Sequence, residues 1–138
     1  MQTITPYLLY EDVDAALAFL SKAFGFKEVL RYTGEGGYVN HAEMRLGEGK
    51  IYLGDPGDQY ENPKKVGETV GMYVLVDDVD AHFKRAKAAG AEIDEEPADQ
   101  EYGERRYRAV DPEGHRWFFA QSIREVAPEE WGATVATS

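Results

Sequence analysis

The sequence predicts an α+β fold: two tandem βαβββ modules forming a curved mixed sheet around a cleft. Three observations carry that reading. The chain repeats itself, since YEDVDAALAFLSKAFG at Tyr10–Gly25 returns as VDDVDAHFKRAKAAG at Val76–Gly90, about 65 residues later. In each copy an apolar strand ends in an acidic pair, Val, Asp and Ala open a helix, and a glycine closes it. The segments after the first helix alternate apolar with polar residues, the period of half-buried strands. The organisation predicted is a first module at residues 1–56, a linker at 57–69, a second module at 70–122 and a C-terminal tail at 123–138.

The elements follow in order. Thr3–Tyr10 has the β-branched and aromatic content of a strand. Asp12 is a candidate N-cap, its carboxylate able to accept an orphan backbone N–H. The next helix carries Val13, Ala16, Leu17, Leu20 and Phe24 on one face, and Gly25 supplies the left-handed residue that ends it. Lys27–Thr33 reads as a strand and Glu35-Gly36-Gly37 as a turn. Along Tyr38–Leu46, Ala42, Met44 and Leu46 point one way and Val39, His41, Glu43 and Arg45 the other. Lys50–Leu53 follows, with Ile51 and Leu53 towards the helix and Lys50 and Tyr52 opposite. Asp55–Glu68 is polar and turn-rich.

The second module repeats the order. Val70–Val76 is a strand, Asp78 an N-cap, and Val79–Ala89 a helix stopped by Gly90. That helix reads as the more exposed one, with His82 solvated on it. Ala91–Ile93 starts a strand, Glu95–Gly103 is an acidic loop around Pro97, and Arg105–Val110 is a strand. Asp111-Pro112-Glu113-Gly114 is a tight turn braced by His115, and Arg116–Gln121 is the last strand. Arg124–Ser138 loses periodicity, with Trp131 available to pin it.

Composition narrows function only broadly. The 138 residues carry 26 acids against 15 bases, a net charge of −11, so phosphate backbones and anionic membranes are poor partners. There is no cysteine for disulfides or thiolate metal sites, and no apolar run of membrane-spanning length. A soluble, cytoplasmic protein is expected.

The helix-distal face of the strands is not simply hydrophilic. It carries Tyr7, Leu9, Val39, His41, Glu43, Tyr52, Tyr73, Leu75 and Phe118, a mixture of rings and isolated polar groups suited to a ligand cleft. Arg106 and Arg108 alternate with Tyr107, so one arginine face could reach an anionic group. His41 and Glu43, two residues apart, are candidates for acid–base work or for a displaced metal pair. Nucleophilic catalysis lacks a motif, and the glycines at 34, 36 and 37 form no phosphate loop.

The segments YEDVDAALAFLSKAFGF at 10–26, VLVDDVDAHFKRAKAAGAEI at 74–93 and YGERRYRAVDPEGHRWFFA at 102–120 resemble the vicinal oxygen chelate superfamily. That superfamily includes glyoxalase I, extradiol dioxygenases and bleomycin-resistance proteins. With NHAEM at 40–44, the match resembles the PhnB-like branch most closely. The resemblance implies a cleft lined by concave sheet, and a homodimer in which each cleft draws on a module from each chain. It also implies metal ligands at four positions, which fall here at Thr5, Tyr52, Gly71 and Phe118. None is a usual donor, so no cofactor is expected, with a displaced divalent metal as the alternative. Two functions then compete. One is a binding protein that sequesters an aromatic or cationic small molecule in the cleft. The other is a lyase, isomerase or dioxygenase that uses a displaced metal or His41. A vestigial cleft on an interaction module is a third possibility.

Overall fold

The computed structural model describes residues 2–137, and it consists of two βαβββ units. The first contains β1 (Tyr7–Leu9), α1 (Val13–Phe24), β2 (Lys27–Thr33), β3 (Val39–Leu46) and β4 (Gly49–Gly54). A one-turn helix α2 (Pro63–Val66) interrupts the linker. The second unit contains β5 (Gly71–Leu75), α3 (Val79–Ala88), β6 (Glu92–Asp99), β7 (Glu104–Val110) and β8 (Arg116–Ser122). Each unit forms its own four-stranded mixed sheet, ordered β1-β4-β3-β2 and β5-β8-β7-β6. In both, the first strand pairs parallel with the last, Tyr7 beside Tyr52 and Tyr73 beside Phe118.

Local chemistry fixes the helices. Asp12 accepts from Ala15 N and Asp78 from Ala81 N, so the repeated aspartates cap both long helices. Gly25 ends α1 in the left-handed region at φ 81°. The α1 stripe Val13, Ala16, Leu17, Leu20 and Phe24 is buried, as its period predicts.

The helices join the two units. α1 packs on β2 and β3, α3 packs on β6, β7 and β8, and the two helices pack on each other. Phe24 and Phe26 reach across to Trp117, and Phe24 also meets Phe119. The Arg85 guanidinium of α3 donates to the carbonyls of Ser21 and Lys22, closing the C-terminal end of α1. The helix-side faces of both sheets therefore share one core, and their other faces lie outside it.

The Asp111–His115 turn is a second joint. Asp111, 3% exposed, accepts from Tyr10 Oη at 2.6 Å, Trp117 Nε1 at 3.1 Å and the backbone N–H groups of Glu113 and His115. Burial, then the Asp111 carboxylate beside it, push the Tyr10 phenol well up. The Glu113 carboxylate accepts from the backbone N–H of Glu11 and Asp12, at the entry to α1. His115 Nε2 donates to the Leu9 carbonyl at 2.8 Å. Gly114 has φ 96°, and a Cβ there would lie 2.4 Å from Lys64 N, so the linker passes directly over it.

Three expectations are corrected. Val39 is 5% exposed and belongs to the core, not to the face of His41 and Glu43. Thr33 pairs with Val39 and Tyr32 with His41, so Asn40 is an extra residue, and this bulge reverses the alternation. The Glu95–Gly103 loop is largely strand, because β6 runs to Asp99. It is an edge strand with register shifts around Glu95, where the missing N–H of Pro97 costs no ladder bond. His82 is not solvated. It packs against Phe119 with ring centroids 4.2 Å apart and bridges Tyr107 to Phe24.

Candidate functional site

The sequence-predicted cleft residues divide into two surfaces. On the open face of the first sheet, Tyr7 and Tyr52 pair across β1 and β4, and His41 and Glu43 sit beside them on β3. Tyr7 Oη lies 3.0 Å from His41 Nδ1, and both tyrosine rings meet the imidazole edge-on. Tyr7 donating to Nδ1 places the imidazole proton on Nε2, 3.9 Å from Glu43 Oε2. Lys50 Nζ is 3.5 Å from the other Glu43 oxygen. Leu9 is half-buried at the end of β1, and its carbonyl accepts from Tyr60 as well as His115. This face offers a hydroxyl–imidazole pair among rings, able to bind a polar group or to pass a proton.

On the open face of the second sheet, the Phe118 ring lies between Tyr73 and two guanidinium groups. Tyr73 stacks at 5.8 Å and 22°, and the Arg106 and Arg108 carbons stand 5.3 and 5.7 Å from the ring centroid. The Tyr73 hydroxyl donates to Glu104 and contacts Tyr102 Oη. Burial and the bond to Glu104 push that phenol up. Arg106 pairs with Glu95, Arg108 with Asp94, and Arg116 with both Asp94 and Glu68. Leu75 extends the face along β5.

Each of these two surfaces faces away from the shared core. A groove of about 920 Å³ runs between the β3–β4 hairpin and β5, but of the predicted residues it takes only Tyr73 and Leu75. Its walls come largely from the β3–β4 hairpin, β5 and the start of α3, whereas the other predicted side chains, Val39 apart, lie on the open faces.

The four positions where the resemblance places metal ligands do not fit a divalent cation. The Thr5 hydroxyl already accepts from Gln2 at 3.3 Å, Tyr52 offers a phenol, and Phe118 a hydrocarbon ring. At Gly71 a Cβ would lie 2.6 Å from Phe118 Cε1, so the ring occupies the space a donor side chain would need. Tyr7 lies over Gly54 in the same way, 2.6 Å from the Cβ position. Among the described residues, no three His, Asp or Glu side chains gather as metal ligands.

A model of the Glyoxalase/Bleomycin resistance protein/Dioxygenase superfamily matches residues 3–119. The chain belongs to that superfamily. It is 34% identical to an uncharacterised protein of Mycobacterium bovis, across 97% of this chain and 92% of that one. Among solved structures it is similar to TioX from Micromonospora sp. ML1, at 33% identity and TM-score 0.71, covering 91% of this chain and 100% of that one. The fosfomycin resistance protein FosX of Listeria monocytogenes shares the fold at 17% identity and TM-score 0.64, over 94% of this chain and 97% of that one.

Two residues outside the predicted set border the second face of this superfamily member. Tyr102, in the β6–β7 turn, accepts from Arg106 Nη1 at 3.2 Å and meets Trp131 edge-on at 5.9 Å. Trp131 closes a 3-10 turn at Pro128–Trp131, beyond the residues matched by the superfamily model. The tail reaches it from the same turn, as Ile123 N and Arg124 N both donate to the Gly103 carbonyl. Trp131 is legible in the sequence as a residue available to pin the tail, but nothing there names Tyr102 as its partner.

Proposed function

We propose that this protein is a small-molecule binding member of its superfamily that works without a resident metal, holding an aromatic ligand against the open sheet faces. One observation carries the reading: at Gly71, one of the four positions the resemblance assigns to ligands, the Phe118 ring lies where a donor side chain would start, and Tyr7 covers Gly54 on the other sheet in the same way. Rings on a bare strand offer stacking surface, worth about 0.5–1.5 kcal/mol per contact beyond burial. Tyr7 and Tyr73 remain 53% and 47% exposed, which leaves those surfaces accessible to a ligand. The two faces point away from one core, so a homodimer is the arrangement that would bring a first-module face opposite a second-module face. The free edge of β5 and the groove beside it offer a second copy of the chain a place to dock.

Metal analysis of the purified protein, combined with a thermal-shift screen of flat aromatic compounds, tests this. The expected result is no stoichiometric metal and a raised midpoint with the ligand recovered unchanged, since a ligand that binds only the native state stabilises it by mass action. Recovery of a converted ligand, or one tightly held divalent ion per site, would count against it.

A second reading rests on the 3.0 Å contact between Tyr7 and His41, which would suit general acid–base catalysis with Glu43 orienting the imidazole. It requires turnover that collapses in His41→Ala while binding persists.

A further inference from the structure

The second open face carries more than stacking surface. Arg106 uses its terminal nitrogens on Glu95 and Tyr102, and Arg108 uses one on Asp94. Among the described residues, the Nε–H groups of both, like that of Arg116, are buried without a well-aligned acceptor. A buried donor without an acceptor is costly, so each guanidinium gains by turning to an incoming oxygen. The two lie over one ring, and their formal charges are already balanced by Asp94 and Glu95. What they lack is an acceptor. Beside them, Tyr73 leads through Tyr102 to Trp131, which is 39% exposed and meets Tyr102 edge-on.

We propose that this face is a slot for a planar aromatic molecule bearing a hydrogen-bond-accepting oxygen. The plane packs across the outer edges of Phe118 and Tyr73, the oxygen is received by Arg106 and Arg108, and Trp131 forms the outer wall. The proposal rests on the binding function proposed above and narrows its ligand. The net charge of −11 would by itself favour a cation, whereas these donors favour an acceptor, so the two drives make opposite predictions.

Calorimetric titration with two molecules of nearly the same shape separates them: 9-anthracenecarboxylate and 9-aminoacridine, at about 0.15 M salt, where long-range attraction is screened. The carboxylate is expected to bind about tenfold or more tightly than the acridine, the gain from hydrogen bonds to charged donors. Arg108→Gln should remove most of that preference. Trp131→Ala should weaken the carboxylate roughly three- to tenfold and Trp131→Phe should restore much of the loss, with sedimentation mass and unliganded melting temperature unchanged. Equal or tighter binding of the acridine overturns the proposal and leaves the binding function standing. So does an unchanged affinity in the two non-conservative variants, or a Trp131→Ala effect confined to oligomeric state. Failure of both molecules to bind the wild type overturns the proposal together with the function it rests on.

Discussion

The ring of Phe118 covers Gly71, its Cε1 only 2.6 Å from the position a Cβ on that glycine would take. The same ring stacks on Tyr73, two residues further along β5, so glycine and tyrosine together hold it flat on the sheet. Gly71→Ala must push the ring off this position. The expected loss of stability is about 1 kcal/mol, the worth of an aromatic pair, read from urea unfolding, together with weaker binding of any ligand that stacks there. Unchanged stability and affinity would mean that the ring is not held by this contact.

Asp111 predicts a larger effect. Asp111→Ala orphans the buried Tyr10 hydroxyl and Trp117 indole N–H and two part-buried backbone donors. A loss of at least about 3 kcal/mol is expected, since each unsatisfied buried donor costs roughly 1–3 kcal/mol. Tyr10→Phe removes a single partner and should cost markedly less. Equal losses in the two variants would show that the turn does not act as a hub.

His82 makes stability depend on pH. The Phe24 carbonyl can only accept, so His82 Nε2 carries the proton and Nδ1 accepts from the Tyr107 hydroxyl at 2.6 Å. A second proton would put a donor opposite that hydroxyl, inside a stack of rings. Burial, and to a smaller degree Arg85 nearby, hold the imidazole below its ordinary value. The unfolded chain therefore binds this proton at higher pH than the folded one. The stability is fully present above about pH 6.5 and is lost as pH falls through the depressed folded value. Urea midpoints should drop between pH 7.5 and 5.5, and His82→Gln should flatten that slope. A variant with the wild-type slope would assign the dependence elsewhere.

His82 also shows what the sequence made legible and what it hid. It stands three residues after Val79, with Phe83 and Ala86 following at the spacing of one helical face, a stripe that the sequence contains and that the solvated reading of His82 leaves out. Its charge-bearing neighbours Lys84, Arg85 and Lys87 led to the opposite reading. The repeat, both aspartate caps and the α1 stripe were readable because each is a local pattern with a fixed period. Val39 was misplaced because a single extra residue in β3 reverses the alternation, and only the partner strand reveals that residue. The division of the predicted cleft into two faces was implied by the resemblance alone and not by any local pattern in the residues. It depends on α1 packing against α3, a contact between modules that neither copy of the repeat encodes alone.

That division yields the most discriminating prediction. If each binding cleft pairs the first-module face of one chain with the second-module face of another, a Tyr7→Ala chain and a Phe118→Ala chain should rescue each other when mixed. In the mixed dimer one cleft receives both altered faces and the other receives none. Random exchange makes half the dimers mixed, so about a quarter of all clefts would be intact. Titration of the re-equilibrated mixture should show that fraction of sites at wild-type affinity, where neither variant alone shows any. If both faces of a cleft came from one chain, every cleft in the mixture would carry one altered face and no rescue would occur. A monomer in sedimentation, with full affinity in the wild type, would remove the need for a partner altogether and confine the ligand to one open face.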